Sequence, residues 1–375
     1  MRIKGIWLLV AIVMLFGLFS CGDNAVVEEP SPSPSISPSP SPKPSPSPSP
    51  SPSPSPSPTP TPEPETPKNP LTGLEIAEEL VNNCPAVIMI NNLKQALPQY
   101  GLASADIIYE IVAEGGITRL VAVMQDPSKV EIIGSVRSTR SYYLDLAQGH
   151  DGILFHAGAS EMAYAQIPKR GVHNADGTRG GAGISKLYYR DEYRRKNNGY
   201  EHSLMTTGAR VQEYLDDMSY RVEHGDDWAY PVTFEKGFKL SGKADAAKVS
   251  VLFSNYKKAV FDYDAEMDKY LVTQYGNPHI DKNTGEQIAF TNVLVLFTDI
   301  SMIKGDAYGR MDVDLVGSGS GMYFCGGGQT EITWQKDSFT SPFTYKGADG
   351  KEQIFRSGTS YICVVQNAER VTIGE

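Results

Sequence analysis

Between residue 84 and about residue 220, short apolar runs alternate with stretches whose apolar residues recur at helical spacing. "PAVIMINN" (85–92) is an unbroken apolar run and predicts a strand buried on both faces. "ADIIYEIVAEGGITRLVAVMQD" (105–126) predicts a hairpin, two apolar strands joined at Gly115-Gly116, where a tight turn asks for positive φ. "SYYLDLA" predicts a helix, "HDGILFHAG" a strand and "SEMAYAQI" a second helix opening at Ser160. In "TTGARVQEYLDDM" (206–218), Val211, Tyr214 and Leu215 lie at helical spacing behind Thr207, a suitable cap. From about Tyr230 onward the pattern is of strands bounded by Gly, Asn and Asp. "AVFDYDAEMDKYLVTQY" reads as a hairpin around Ala265-Glu266, and "IAFTNVLVLFTDI", "GMYFCGGGQTEITWQK" and "TSYICVVQ" as further strands. The predicted fold is an α/β (α+β) N-terminal domain over 71–225, a layered mixed sheet with helices, followed by a smaller antiparallel β-rich C-terminal domain over 226–375.

The first seventy residues follow a different grammar. Arg2 and Lys4 precede an uncharged apolar run over 6–19 that is too short for a stable membrane span, the form of a secretory signal. It ends "LFSC", which looks like a lipobox, so residues 1–20 are expected to be removed and Cys21 lipidated. An uncleaved anchor helix is the other reading, and both leave the domain outside the cytoplasm. Residues 21–70 hold most of the chain's 26 prolines, largely in alternating Ser-Pro. Such a tract has nothing to bury and stays extended, a spacer on the order of 100 Å in polyproline II. The expected location is the extracellular face of the cytoplasmic membrane, with the membrane itself the first partner.

Charge and cysteines narrow the function. Lys+Arg 34 against Asp+Glu 44 gives a formal net charge of −10, which with no basic run argues against nucleic acid. Beyond Cys21 the cysteines are Cys84, Cys325 and Cys363, with no CxxC and no histidine at zinc-ligand spacing. No metal and no cofactor is expected, and Cys325 with Cys363 is the pair open to a disulfide.

"GSVRSTRSYYLDLAQ" (134–148) places Arg137 and Arg140 around Ser138 and Thr139 at a predicted helix start, where cations are badly placed. Either the two arginines and the free N–H groups hold an anion, with Ser138 as the helix cap, or they neutralise carboxylates of the protein itself. With Gly115-Gly116 as a two-residue loop, Val112 faces Arg119 and Glu110 faces Val121. Glu110 and Arg119 then become diagonal neighbours and a structural ion pair. His156 and Ser160 sit where a strand meets a helix, a position at which α/β sheets collect ligands. His202 in "YEHSLMTTG" points away from Ser203 on an extended chain, so these neighbours cannot be base and nucleophile. "HNADGTRGGAGISK" (173–186) lacks the ending of a phosphate loop and reads as a lid, and "HIDKNTGEQ" (279–287) reads as a turn.

"NPLTGLE", "INNLKQALPQYGLASADIIYE", "EGGITRLVAVMQD", "GSVRSTRSYYLDLA" and "FHAGAS", with "NPHIDKNTGEQ" and "ITWQKDSFTSPFTY" further on, resemble the YerB-like lipoprotein family of Gram-positive bacteria. The resemblance spans nearly all of 69–367. It implies a lipid-anchored protein with an α/β domain and a β-rich domain, and it implies no reaction, since the family's function is unknown. Three functions are in play. One is a surface module binding an anionic envelope ligand or a peptidoglycan-associated partner through Arg137, Ser138, Thr139, Arg140, His156, Ser160 and His202. The second is a cell-wall hydrolase or transferase, and the third a scaffolding lipoprotein that binds another protein.

Overall fold

The computed structural model describes residues 66–374 apart from 182, 219–220 and 241–243. The expected signal, Cys21 and most of the Ser-Pro stalk lie outside the described residues. In the first half the strands of the main sheet are β1 (Ala86–Asn91), β2 (Ile107–Glu114), β3 (Ile117–Met124), β4 (Ile153–His156) and β5 (Asn174–Asp176). The longer helices are α1 (Ser141–Gly149), α2 (Glu161–Arg170) and α3 (Gly208–Asp216). Ser160 caps α2 by accepting from Ala163 N, and Thr207 caps α3 by accepting from Arg210 N, as their sequence positions predict. Ser138 caps nothing. The residue before α1 is Arg140, and the Ser138 hydroxyl donates instead to the Ala157 carbonyl at 2.8 Å.

The second half supplies β6 (Lys248–Leu252), β7 (Lys258–Asp264), β8 (Lys269–Gln274), β9 (Asn292–Phe297), β10 (Gly317–Cys325), β11 (Gly328–Lys336), β12 (Ser360–Val365) and β13 (Val371–Ile373). One sheet runs through both halves in the order β11-β10-β9-β12-β2-β3-β1-β4-β5, with two short strands at or beside its β11 end. β12, from the end of the chain, is parallel to both β2 and β9 and lies between them. β1, β4 and β5 are mutually parallel and run the same way as β2, since β3 is antiparallel to both β1 and β2. The carboxyl ends of β1, β2, β4, β5, β9 and β12 therefore share one edge of the sheet, where ligands gather in sheets of this kind.

The sheet is covered on both faces, so β1 is buried at all six positions, as its unbroken apolar run requires. On one face Tyr142, Tyr143, Leu146 and Ala163 of α1 and α2 meet Met89, Tyr109 and Val121. On the other, α3 packs by Val211 and Tyr214, and the second sheet, β13-β6-β7-β8, packs by Val249, Phe261 and Val272 against Ile108, Val293 and Cys363. The fold is thus mixed α/β with a β-rich second half. Cys325 and Cys363 are both free and buried, and they point into opposite faces of the sheet, which rules out the disulfide between them.

The expected Glu110–Arg119 pair does not form. A β-bulge between Val112 and Glu114 shifts the register, so Arg119 faces Ile111 and Glu110 faces Leu120. Directly opposed residues share a face, which sends Arg119 and Glu110 to opposite faces of the sheet. Beyond the bulge Glu114 returns to the face of Arg119, and these two pair. Glu110 pairs instead with Lys257, Nζ to Oε1 3.1 Å, both side chains being fully buried. Asn92 (2.9 Å), Thr118 (2.6 Å) and Tyr361 (2.7 Å) complete the carboxylate's hydrogen bonds. This buried network ties β2 and β3 to the second sheet.

Candidate functional site

The segment 137–140 runs beside 157–159, with Ala157 N donating to Arg137 O and Thr139 N to Gly158 O. That pairing brings six of the seven residues singled out in the sequence to the edge where β1, β4 and β5 end, and His202 reaches the same edge through the Asn91 amide at the end of β1. Their polar groups, however, already have partners within the protein. Arg140 donates from Nε and Nη2 to Glu114 Oε2 at 3.1 and 2.8 Å, and from Nη1 to its neighbour's carbonyl at 2.7 Å. Burial and nearby Arg119 lower its pKa, and Glu114 opposes them. Of the two readings of this arginine, the ion pair to the hairpin is the one present. Arg137 reaches Glu201 at 2.5 Å, a partner whose side chain is half exposed. Thr139 is buried, with its hydroxyl 3.3 Å from the Arg140 carbonyl.

Both histidines are held in place by hydrogen bonds. His156 meets the Gly158 carbonyl with Nδ1 (2.9 Å) and Asn174 Oδ1 with Nε2 (3.1 Å), so neither ring nitrogen is free to take a proton from a substrate. Beside it, burial pushes Asp176 up, but His156 and the N–H groups of Thr178 and Gly158 outweigh burial and hold its carboxyl below the usual range. His202 accepts at Nδ1 from the Asn91 amide (2.8 Å), which leaves Nε2–H facing Glu201 Oε1 at 3.4 Å. Burial lowers its pKa, with Glu201 acting the other way. Glu201 thus links Arg137 to His202. Nothing in its sequence position marks it, because the link depends on a short helical turn at Tyr200–His202.

Further along the same edge, where β9 and β12 end, lies an open groove of about 980 Å³ that the sequence reading missed. Its floor is the "GSGSG" start of β10, residues 317–321. A Cβ at Gly319 would lie 2.5 Å from the Phe297 carbonyl and 2.6 Å from Trp334 Nε1, so only glycine lets these strands close under the groove. The walls bring the hydroxyls of Ser318, Ser320 and Thr333, the amides of Gln366 and Asn367, and the carboxylates of Asp299, Asp314 and Glu331. No lysine or arginine is among its lining residues. The signal available in sequence was the Gly-Ser alternation itself, which gives a strand small on one face and hydroxylated on the other.

Residues 71–221 match the N-terminal domain of the protein family of unknown function DUF3048, and residues 249–362 match its C-terminal domain. The chain is 28% identical over 310 residues to YerB of Bacillus subtilis (strain 168), which carries the name of a lipoprotein; the alignment covers 82% of this chain and 89% of that one. A crystal structure of the Bacillus subtilis YerB protein matches with a TM-score of 0.70 at 27% identity, over 82% of this chain and 99% of that one. The chain therefore belongs to the YerB-like family, lipoproteins of unknown function built from the two DUF3048 domains.

Proposed function

We propose that this lipoprotein is anchored through Cys21 on the extracellular face of the cytoplasmic membrane, and that its folded part is a binding module for a polyhydroxylated, uncharged or amine-bearing ligand of the cell envelope, such as a cell-wall glycan. The groove at the ends of β9 and β12 carries this reading. Its hydroxyls, amides and three carboxylates supply the donors and acceptors that sugar hydroxyls need, and its exposed strand backbone lets a flat ligand approach closely. An anionic ligand fits it poorly, because three carboxylates without a cation repel negative charge. The arginines that motivated an anionic ligand are paired with Glu114 and Glu201.

Catalysis has less support. Neither His156 nor His202 presents a free nitrogen next to a hydroxyl, as a nucleophile-and-base pair needs. Calorimetric titration of the purified protein with neutral and amino-sugar wall fragments tests the proposal. Ser320→Trp, which fills the groove from an exposed strand position, is expected to abolish binding while the melting temperature holds. Equal binding by that variant would place the ligand elsewhere.

A further inference from the structure

At the opposite edge of the sheet, three residues far apart in sequence converge. Cys84 lies two residues before β1, Asp151 sits in the left-handed turn (φ 48°) between α1 and β4, and His224 follows α3. Two backbone hydrogen bonds fix the meeting, Cys84 N to Val222 O and His224 N to Asn82 O, both 2.8 Å. The donor atoms form a tight triangle. Cys84 Sγ lies 3.8 Å from His224 Nδ1 and 3.9 Å from Asp151 Oδ2, and Nδ1 lies 2.9 Å from Oδ2.

Two chemistries use Cys, His and Asp together. A nucleophilic triad places the histidine between the others, with the thiol at one ring nitrogen and the carboxylate at the other. Here thiol and carboxylate both converge on Nδ1. Nε2 is buried without a partner, and the ring stacks on Trp228 at 3.5 Å between centroids. A tetrahedral zinc asks for something else, one donor atom from each residue around a common point. With bonds of about 2.3 Å to sulfur and about 2.0 Å to nitrogen and oxygen, neighbouring donors stand roughly 3.3–3.6 Å apart. The observed triangle departs from that by a few tenths of an ångström.

We propose that Cys84, Asp151 and His224 form a site for a divalent transition-metal ion, zinc by preference, with a fourth position open to water. Thiolate and imidazole donors select zinc over calcium or magnesium. Arg221 already shows that the triangle attracts positive charge. Its Nη1 lies 2.7 Å from Asp151 Oδ2 and 3.5 Å from Cys84 Sγ, and its Nη2 lies 2.6 Å from Asp151 Oδ1. Metal entry displaces Nη1 from Oδ2 and the sulfur, while the Nη2 bond to Oδ1 stays as outer support of the ligating carboxylate. The Arg221 side chain is 44% exposed, and its Nη1 also donates to the Glu223 carbonyl, a partner it keeps when it leaves the triangle. A cleft of about 490 Å³, bordered by Asp151, Arg221 and Trp228, gives water and metal their access. The proposal departs from the sequence expectation of no metal, which rested on the absence of any short ligand spacing.

The test is to titrate the metal-free protein with Co²⁺ and then displace it with Zn²⁺. One equivalent is expected to bind with tetrahedral cobalt bands and sulfur-to-cobalt charge-transfer absorption. Cys84→Ser and His224→Gln are expected to weaken zinc by more than the ~10–100-fold typical of losing an outer-shell partner. Arg221→Gln is expected to change affinity within that range. The cobalt spectrum is read on the wild-type chain, so a misfolded variant cannot mimic success or failure. A folded wild type that binds no cobalt, or binds it without thiolate absorption, overturns the proposal, as does undiminished zinc affinity in Cys84→Ser.

Discussion

Lys257 lies in the turn between β6 and β7 and reaches across to Glu110 on β2, so the pair probes how the two halves hold together. Nζ and Oε1 are 3.1 Å apart and both side chains are fully buried. At that distance, with an effective dielectric constant of ~20, their attraction is about 5 kcal/mol before desolvation is counted. Lys257→Met removes the attraction and leaves the carboxylate in place with the neutral donors of Asn92, Thr118 and Tyr361. Removing one partner of a buried pair costs about 3–5 kcal/mol, and that is the loss expected for this variant. Glu110→Gln combined with Lys257→Met keeps an acceptor for those donors and buries no charge, so it is expected to recover most of the loss. Urea unfolding followed by tryptophan fluorescence and by circular dichroism measures both, and coincident midpoints justify comparing free energies. A single variant within about 1 kcal/mol of wild type, or a double variant no more stable than the single, would mean that Lys257 does not hold a buried charge on Glu110.

Other outcomes follow from the same geometry. Arg140→Ala breaks charged hydrogen bonds to a mostly buried Glu114 and is expected to cost about 1.5–3 kcal/mol, whereas Arg137→Ala, whose partner Glu201 is half exposed, costs under about 1 kcal/mol; melting temperatures of the two variants rank them. Burial holds His150 at a pKa of about 3, below its ordinary 6.5, where its Nε2 meets the Tyr109 hydroxyl at 2.8 Å. The unfolded chain therefore binds the proton first, and this contribution to stability is complete above pH 6.5 and is lost progressively as pH falls toward 3. Denaturation midpoints between pH 7 and pH 4 should fall more steeply for wild type than for His150→Gln, and parallel curves contradict the assignment.

Where local chemistry decides the structure, the sequence was readable. The apolar run of β1, the Gly115-Gly116 turn, the caps Ser160 and Thr207, and the hairpin of β7 and β8 all form as their residues predict. What escaped was set by register and by distance along the chain. A single extra residue in the bulge reversed the side-chain alternation, trading a Glu110–Arg119 pair for Glu114–Arg119 and Glu110–Lys257. The insertion of β12 between β2 and β9 has no local signal, because parallel partners far apart in sequence leave no turn to read. The same holds for the candidate sites. The arginines, left open between an anion and the protein's own carboxylates, meet Glu114 and Glu201 from other segments, and the groove takes its walls from residues between 297 and 368.

On the function proposed above, the ligand sits at one end of the sheet's carboxyl edge, in the groove at β9 and β12. Hydrogen–deuterium exchange of the protein with and without a saturating wall glycan addresses it most directly. New protection is expected in 317–322 and 366–368, with none at 137–140 or 200–203. Protection confined to Arg137, Glu201 and His202, with the groove unchanged, would contradict it and return the site to the arginine loop.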